Sequence, residues 1–182
     1  MNALRTSLVK GLPGLLVVFW LFAAVGCWQF SPISDETRFY VLKNPGERAD
    51  RENPVPVEVR LARFLENPAL ALREGVRIHY LHRDRWAEPL PEALKRFFRD
   101  LPGGPSGQRL ILEIDFLGGE RVGDESFAVL EARYQWVGSE TSPAVRAFTR
   151  KKSWRGADDP GELVSLLQEA LTELAEKIAK NR

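Results

Sequence analysis

Glu113 and Asp115 stand two positions apart in "RLILEIDFL". An extended backbone puts both carboxylates on one face, a spacing that acid–base chemistry could use. The same spacing is the ordinary composition of a solvated strand face, and no nucleophile or oxyanion donor lies near them in sequence. His79 and His82 are the only two histidines. Three apart in a strand, they face opposite sides, so joint metal ligation is not expected. The densest basic run, "RKKSWR", offers Arg150, Lys151, Lys152 and Arg155 either to an anionic headgroup or to solvent at a strand end. No phosphate-binding loop, G-x-S-x-G turn or paired zinc-ligand spacing occurs. The expectation is a non-enzymatic chain with no catalytic residue, no metal and no dissociable cofactor.

The remaining reactive side chain is Cys27, the single cysteine, which cannot form an intramolecular disulfide. It closes "LLVVFWLFAAVGC". Arg5 and Lys10 precede an apolar run from Leu12 to Val25, so residues 1–26 read as an export signal to be excluded from the fold. "AAVGC" resembles a bacterial lipobox. Ala24, Val25 and Gly26 would then be the signal-peptidase recognition residues, and the Cys27 sulfur, nucleophilic as a thiolate, would take up diacylglycerol. An uncleaved transmembrane anchor is the alternative, because residues 11–34 carry no formal charge and about 20 apolar residues span a bilayer. Both readings tie the N-terminus to a membrane. Trp28 follows the cysteine; in enteric-type lipoproteins an aspartate there retains the protein at the inner membrane. The periplasmic side of the outer membrane is therefore expected, with inner-membrane retention as the alternative.

The whole chain of 182 residues is 44% hydrophobic and 28% charged with net charge +1, which is globular usage and not that of a nucleic-acid binder. Residues 27–36 read as a lipidated tether and 37–182 as one domain. "TRFYVLK" suits a first strand, and "NPGERADRENP" an exposed connection. Val55, Val57, Val59 and Leu61 alternate with Glu58 and Arg60, the period of a half-buried strand. "PALALR" and "GVRIHYL" read as a hairpin turning at Glu74 and Gly75. Leu90, Leu94, Phe97, Phe98 and Leu101 form one helical stripe, started by Pro89 and Pro91 and stopped by "LPGGPSG".

Three further strands follow, "RLILEIDFL", "FAVLEARYQWV" and "AVRAFTRKKSW", with turns expected in "GGERVGDES" and "GSETSP". A closing helix is capped by Asp159, with Glu162 in a box-like arrangement, and buries Leu163, Leu167, Leu171, Leu174 and Ile178. The expected class is α/β in the α+β sense: a single mixed, largely antiparallel sheet of about six strands with two helices packed on it. Trp86, between strand and helix in "RDRWAEPLPEAL", either packs over that joint or waits at a rim for a partner.

Three features together, the lipobox ending at Cys27, "TRFYVL", and "DRWAEPLPEAL", resemble the bacterial ABC-type transport auxiliary lipoproteins. The motif residues are Asp84, Arg85, Trp86, Ala87, Glu88, Pro89 and Leu90. The likeness spans nearly the whole exported chain. It departs at Ala24, where leucine is favoured, and at the glycine-rich loop from Gly103 to Gly107. The resemblance implies a periplasmic, lipid-anchored partner of an MCE-domain protein and of inner-membrane transport components, one that self-assembles into a homo-oligomer. It supplies no catalytic residues. A stand-alone periplasmic lipoprotein holding a ligand between sheet and helices is the second class of reading.

Overall fold

In the computed structural model, the described residues are 36–43, 55–99, 101, 107–138, 144–156 and 159–180. The leader, the lipobox residues Ala24, Val25 and Gly26, and Cys27 lie outside them. The chain divides into two units, Met1–Glu36 and Thr37–Arg182, and the fold below is that of the second.

Seven strands form one mixed sheet. They are β1 (Arg38–Tyr40), β2 (Val57–Leu61), β3 (Ala69–Glu74), β4 (Arg77–Trp86), β5 (Arg109–Val122), β6 (Glu125–Val137) and β7 (Arg146–Trp154). A 3-10 turn covers Arg63–Glu66, and the helices are α1 (Leu90–Arg99) and α2 (Pro160–Lys180). The main order is β1-β4-β3-β5-β6-β7. β2 lies beside the first half of β5 and β3 beside the second, both parallel to it and on the same edge. The α+β class and the two helices agree with the sequence reading. The short connections were a sound guide for β3–β4, β5–β6 and β6–β7, which are antiparallel. The pairs β1–β4, β2–β5 and β3–β5 are parallel, because each joins strands far apart in sequence and no short turn constrains their direction.

Period-two alternation decides the faces. Leu110, Leu112 and Ile114 of β5, with Ala128, Leu130, Ala132 and Tyr134 of β6, join the buried stripes of both helices in one hydrophobic cluster. Leu163, Leu167, Leu171, Leu174 and Ile178 of α2 are all fully buried. Each such side chain contributes roughly 1.5–3 kcal/mol, and that burial, not helix propensity, holds α2 on the sheet. Asp159 caps the helix, its Oδ1 accepting from the Glu162 N–H at 3.0 Å. The Glu162 carboxylate does not close a reciprocal box but accepts from the Arg155 N–H at 3.0 Å, drawing the end of β7 onto the helix start.

Three segments differ from the sequence reading. "GGERV" is strand, not turn: β5 runs to Val122, and the two-residue turn is Gly123–Asp124, with φ +60° at the glycine. Gly118 and Gly119 serve close approach instead. A Cβ on Gly118 would lie 2.3 Å from the Ala71 carbonyl oxygen of its parallel partner, and one on Gly119 would meet the Trp154 ring at 2.7 Å. The second difference is β4, which continues from Leu81 through Asp84 to Trp86 because β1 pairs with its last three residues. The first hairpin turns at Gly75–Val76, one residue later than expected, since Glu74 pairs with Arg77.

Gly118→Ala should therefore lower unfolding stability by about 3 kcal/mol, the upper range for overpacking, because a backbone carbonyl cannot step aside. Gly123→Ala, strained by its positive φ but in open space, should cost about 1 kcal/mol. Urea melts of the two variants test this ranking.

Candidate functional site

The stretches "TRFYVL" and "DRWAEPL" are neighbours in space. β1 lies parallel to the end of β4 with Arg38 opposite Asp84, Phe39 opposite Arg85 and Tyr40 opposite Trp86. Asp84, 5% exposed, is the buried charged residue among those described. Arg38 grips it with two prongs, Nε to Oδ1 at 2.8 Å and Nη2 to Oδ2 at 3.1 Å, and the Tyr40 hydroxyl donates to Oδ1 at 3.1 Å. Burial first, and then the hydrogen bond to Asp84, push the Tyr40 phenol above its ordinary pKa.

The backbone completes the splice. Ala87 N–H donates to the Tyr40 carbonyl at 2.8 Å, and Trp86 N–H to the Pro68 carbonyl at 2.8 Å. Trp86 is 6% exposed, so its indole belongs to the core and the motif is a joint. Arg85 stays outside, its Nε donating to the His82 carbonyl at 3.0 Å. Glu88 accepts from both terminal nitrogens of Arg96 on α1, and this pairing holds its carboxyl below the usual range. Arg96 also reaches the Leu42 carbonyl at 3.4 Å. Pro89 and Leu90 then start α1, with Leu90 buried.

Two open grooves border this corner. One, of about 490 Å³, runs between the β1 segment and α2, with the exposed Phe39 and Val41 on one wall and Val164, Gln168 and Thr172 on the other. The second, of about 580 Å³, sets Val55, Pro56 and Val57 against Glu88, Lys95 and Arg96.

Other residues singled out in the sequence are absorbed by ion pairs. Glu113 and Asp115 do share a face, the one away from the helices, and Arg133 spans them at 3.3 and 2.8 Å. The Arg133 hydrogen bonds hold Asp115 below the usual carboxylate range, the opposite of what a general acid needs. Arg60 ties Glu113 to Glu58, at 3.2 and 2.7 Å. Further along the same face Arg73 lies 2.8 Å from Glu120 and 2.6 Å from Glu131, its guanidinium over the Phe116 ring at 4.1 Å. Lys151 completes this lattice at 2.7 Å from Glu120.

"RKKSWR" does not make one basic patch, because alternation sends its members to different faces. Lys151 faces Glu120. Arg150 and Lys152 turn to Glu173 of α2, both at 2.9 Å, and Arg155 to Glu162 at 3.1 Å. His79 and His82 are exposed on β4, and Glu74 lies 3.6 Å from His79. Among the described residues no group of three or more His, Cys, Asp or Glu is placed to hold a metal ion.

Sequence reasoning named Asp84, Trp86 and Glu88 but missed Arg38 and Tyr40 as the partners of Asp84 and Arg96 as the partner of Glu88. A signal existed for Arg96, at helical spacing after Glu88. None existed for Arg38, which lies 46 residues from Asp84 on a parallel neighbour.

Fold and site together define an α+β open-sheet domain built around a buried ionic splice. No family model matches the chain, and no curated protein matches it. Solved structures do. One, the crystal structure of an uncharacterized protein, superposes with a TM-score of 0.63 at 17% identity, covering 79% of this chain and 97% of that one. Another, protein XCC0632 from Xanthomonas campestris, labelled with the family model DUF330, gives a TM-score of 0.61 at 16% identity, covering 78% and 92%. At these identities the likeness shows a shared fold.

Trp86→Ala should cost about 3–5 kcal/mol in a denaturant melt, as for a core aromatic. Arg38→Ala, which strands a buried carboxylate, should cost about 3 kcal/mol and more than Asp84→Asn, which removes the charge itself. The acid response has a defined sign. Glu88, Asp115 and Glu120 all titrate below their ordinary values when folded, chiefly through hydrogen bonds from Arg96, Arg133 and Lys151. Their stabilisation is present above the unfolded carboxylate range and is lost as pH falls through the lower folded values. Urea midpoints should stay level from pH 7 to about 5.5 and fall steeply below about pH 4.

Proposed function

We propose that this chain is a lipid-anchored, non-enzymatic accessory component of an MCE/ABC-type intermembrane lipid transport system, similar to paraquat-inducible protein C. It acts from the periplasmic side of the outer membrane. One observation carries the reading: the two stretches behind the family resemblance, far apart in sequence, are paired strands sharing one ion pair on a buried carboxylate. A resemblance spread over unrelated surface positions would not assemble into a single structural unit. The shared fold with XCC0632 supports the same reading at the level of architecture.

The chemistry is consistent with an accessory role. The carboxylates at Glu113 and Asp115 are engaged by arginines, which leaves them as parts of a salt-bridge lattice. In this reading Cys27 carries the diacylglycerol. Each buried methylene contributes about 0.8 kcal/mol, so two or more acyl chains hold the domain at a bilayer without help from basic side chains. The partners are an MCE-domain protein and inner-membrane transport components, and the domain assembles with copies of itself. The two open grooves favour the second reading, a stand-alone ligand-binding lipoprotein, through their volumes alone.

Native-envelope crosslinking followed by mass spectrometry decides between them. Capture of an MCE-domain protein is the expected result; a monomer retaining a small ligand and no transport component would replace the first reading with the second. Metabolic labelling with a fatty acid should mark the wild type and leave Cys27→Ser unmarked.

A further inference from the structure

β4 has two edges. One is paired with β3; the other meets β1 only at Asp84, Arg85 and Trp86. From Arg77 to Arg83 no described strand pairs with that second edge. Unpaired alternate N–H and C=O groups along such an edge are a template for another extended chain.

The side chains along this edge set its preference. Arg77, His79, His82, Arg83 and Arg85 are all exposed. On the other strands Arg60, Arg73, Arg133, Lys151 and Lys152 each lie against a carboxylate of the same chain. Around β4 carboxylates run short: Glu74 of β3 serves His79 and Arg121, and Asp84 is buried under Arg38. Arg77 and Arg85 form no ion pair among the described residues. Ten strand residues extend over about 33 Å, so these cations are spread along a length that suits an incoming strand of six to eight residues.

We propose that the free edge of β4 is a docking strand for an extended acidic segment of a partner protein, which adds alongside Arg77–Arg83 and sets its carboxylates against Arg77 and Arg85. A second copy of this chain is a poor occupant, since β4 against β4 brings like charges together. An anionic bilayer would satisfy the side chains while leaving the backbone edge unused. The inference stands apart from the transport reading, because its assay needs no transporter.

The test uses the full-length chain in neutral detergent and fluorescent octapeptides that alternate Glu with Val or Lys with Val. The Glu peptide is also made in two forms, N-methylated at one or the other set of alternate amides. Fluorescence anisotropy should show the Glu peptide binding at least tenfold more tightly than the Lys peptide. One methylated form should lose at least tenfold while the other keeps its affinity, the signature of a strand with one bonded edge. Arg77→Glu combined with Arg85→Glu should weaken binding at least tenfold with an unchanged melting temperature. Equal binding of the two charge types, or no binding, overturns the proposal. So does parent-like affinity for both methylated peptides, which would leave charge without strand addition. Retention on phosphatidylglycerol vesicles with no peptide binding would assign the edge to a membrane instead.

Discussion

Asp84 is buried at the junction of β1 and β4, and a carboxylate in that position is tolerable only while donors from a distant part of the chain reach it. Arg38 and Tyr40 supply those donors, 46 and 44 residues upstream. Such a pair rarely adds much net stability, because desolvation offsets most of the attraction. Its contribution is register. β1 has three residues, too few for ladder hydrogen bonds alone to specify a position along β4. A slip of one residue would carry Arg38 away from the carboxylate and turn Tyr40 and Leu42 out of the core. Once the register is set, the Tyr40 carbonyl takes the Ala87 N–H, Trp86 closes over the junction, and Glu88 and Arg96 fix where α1 begins.

The sheet meets its surroundings in two ways. On its helix-covered face Arg150 and Lys152 of β7 bond to Glu173 of α2 and so tie the far strand to the helix. The opposite face carries a lattice from Glu58 through Arg60, Glu113 and Arg133 to Asp115, and a second from Arg73 through Glu120 to Lys151. Single exposed pairs contribute little, but shared carboxylates hold long side chains against the strands and leave few charges unmatched. This arrangement explains why the basic density of "RKKSWR" produces no basic surface. Sequence adjacency within a strand alternates between faces, and each face has its own carboxylates.

Period and punctuation carried much of the architecture. The stripes Leu90 to Leu101 and Leu163 to Ile178 are buried as their spacing implies, and the meander β5–β6–β7 follows from short connections. Hidden from the sequence was every parallel pairing, because β1–β4, β2–β5 and β3–β5 join residues that no local pattern relates. That gap explains the particular misreadings. Local pattern ends β4 at Leu81, because the partner extending it to Trp86 lies 46 residues upstream. Gly118 and Gly119 have the composition of a turn, but their missing side chains make room for Ala71 and Trp154, which their own neighbourhood in sequence does not reveal. Asp84 and Trp86 could be picked out by type, but the donors that make Asp84 tolerable could not.

The splice also determines where force enters the domain. In the proposed anchored form the tether, residues 27–36, leads into β1. Tension on the tether would therefore load the Arg38–Asp84 pair, and through it β4 and the start of α1. Parallel pairing matters here. β1 and β4 run in the same direction, so a pull on the N-terminal end of β1 loads its few hydrogen bonds in shear, all together, and does not peel them one by one. A two-pronged ion pair onto a buried carboxylate is a firmer clamp for a three-residue strand than a single-pronged one. The burial of Asp84, costly as a contribution to folding, is then accounted for as the fastening between a tethered chain and the sheet it enters.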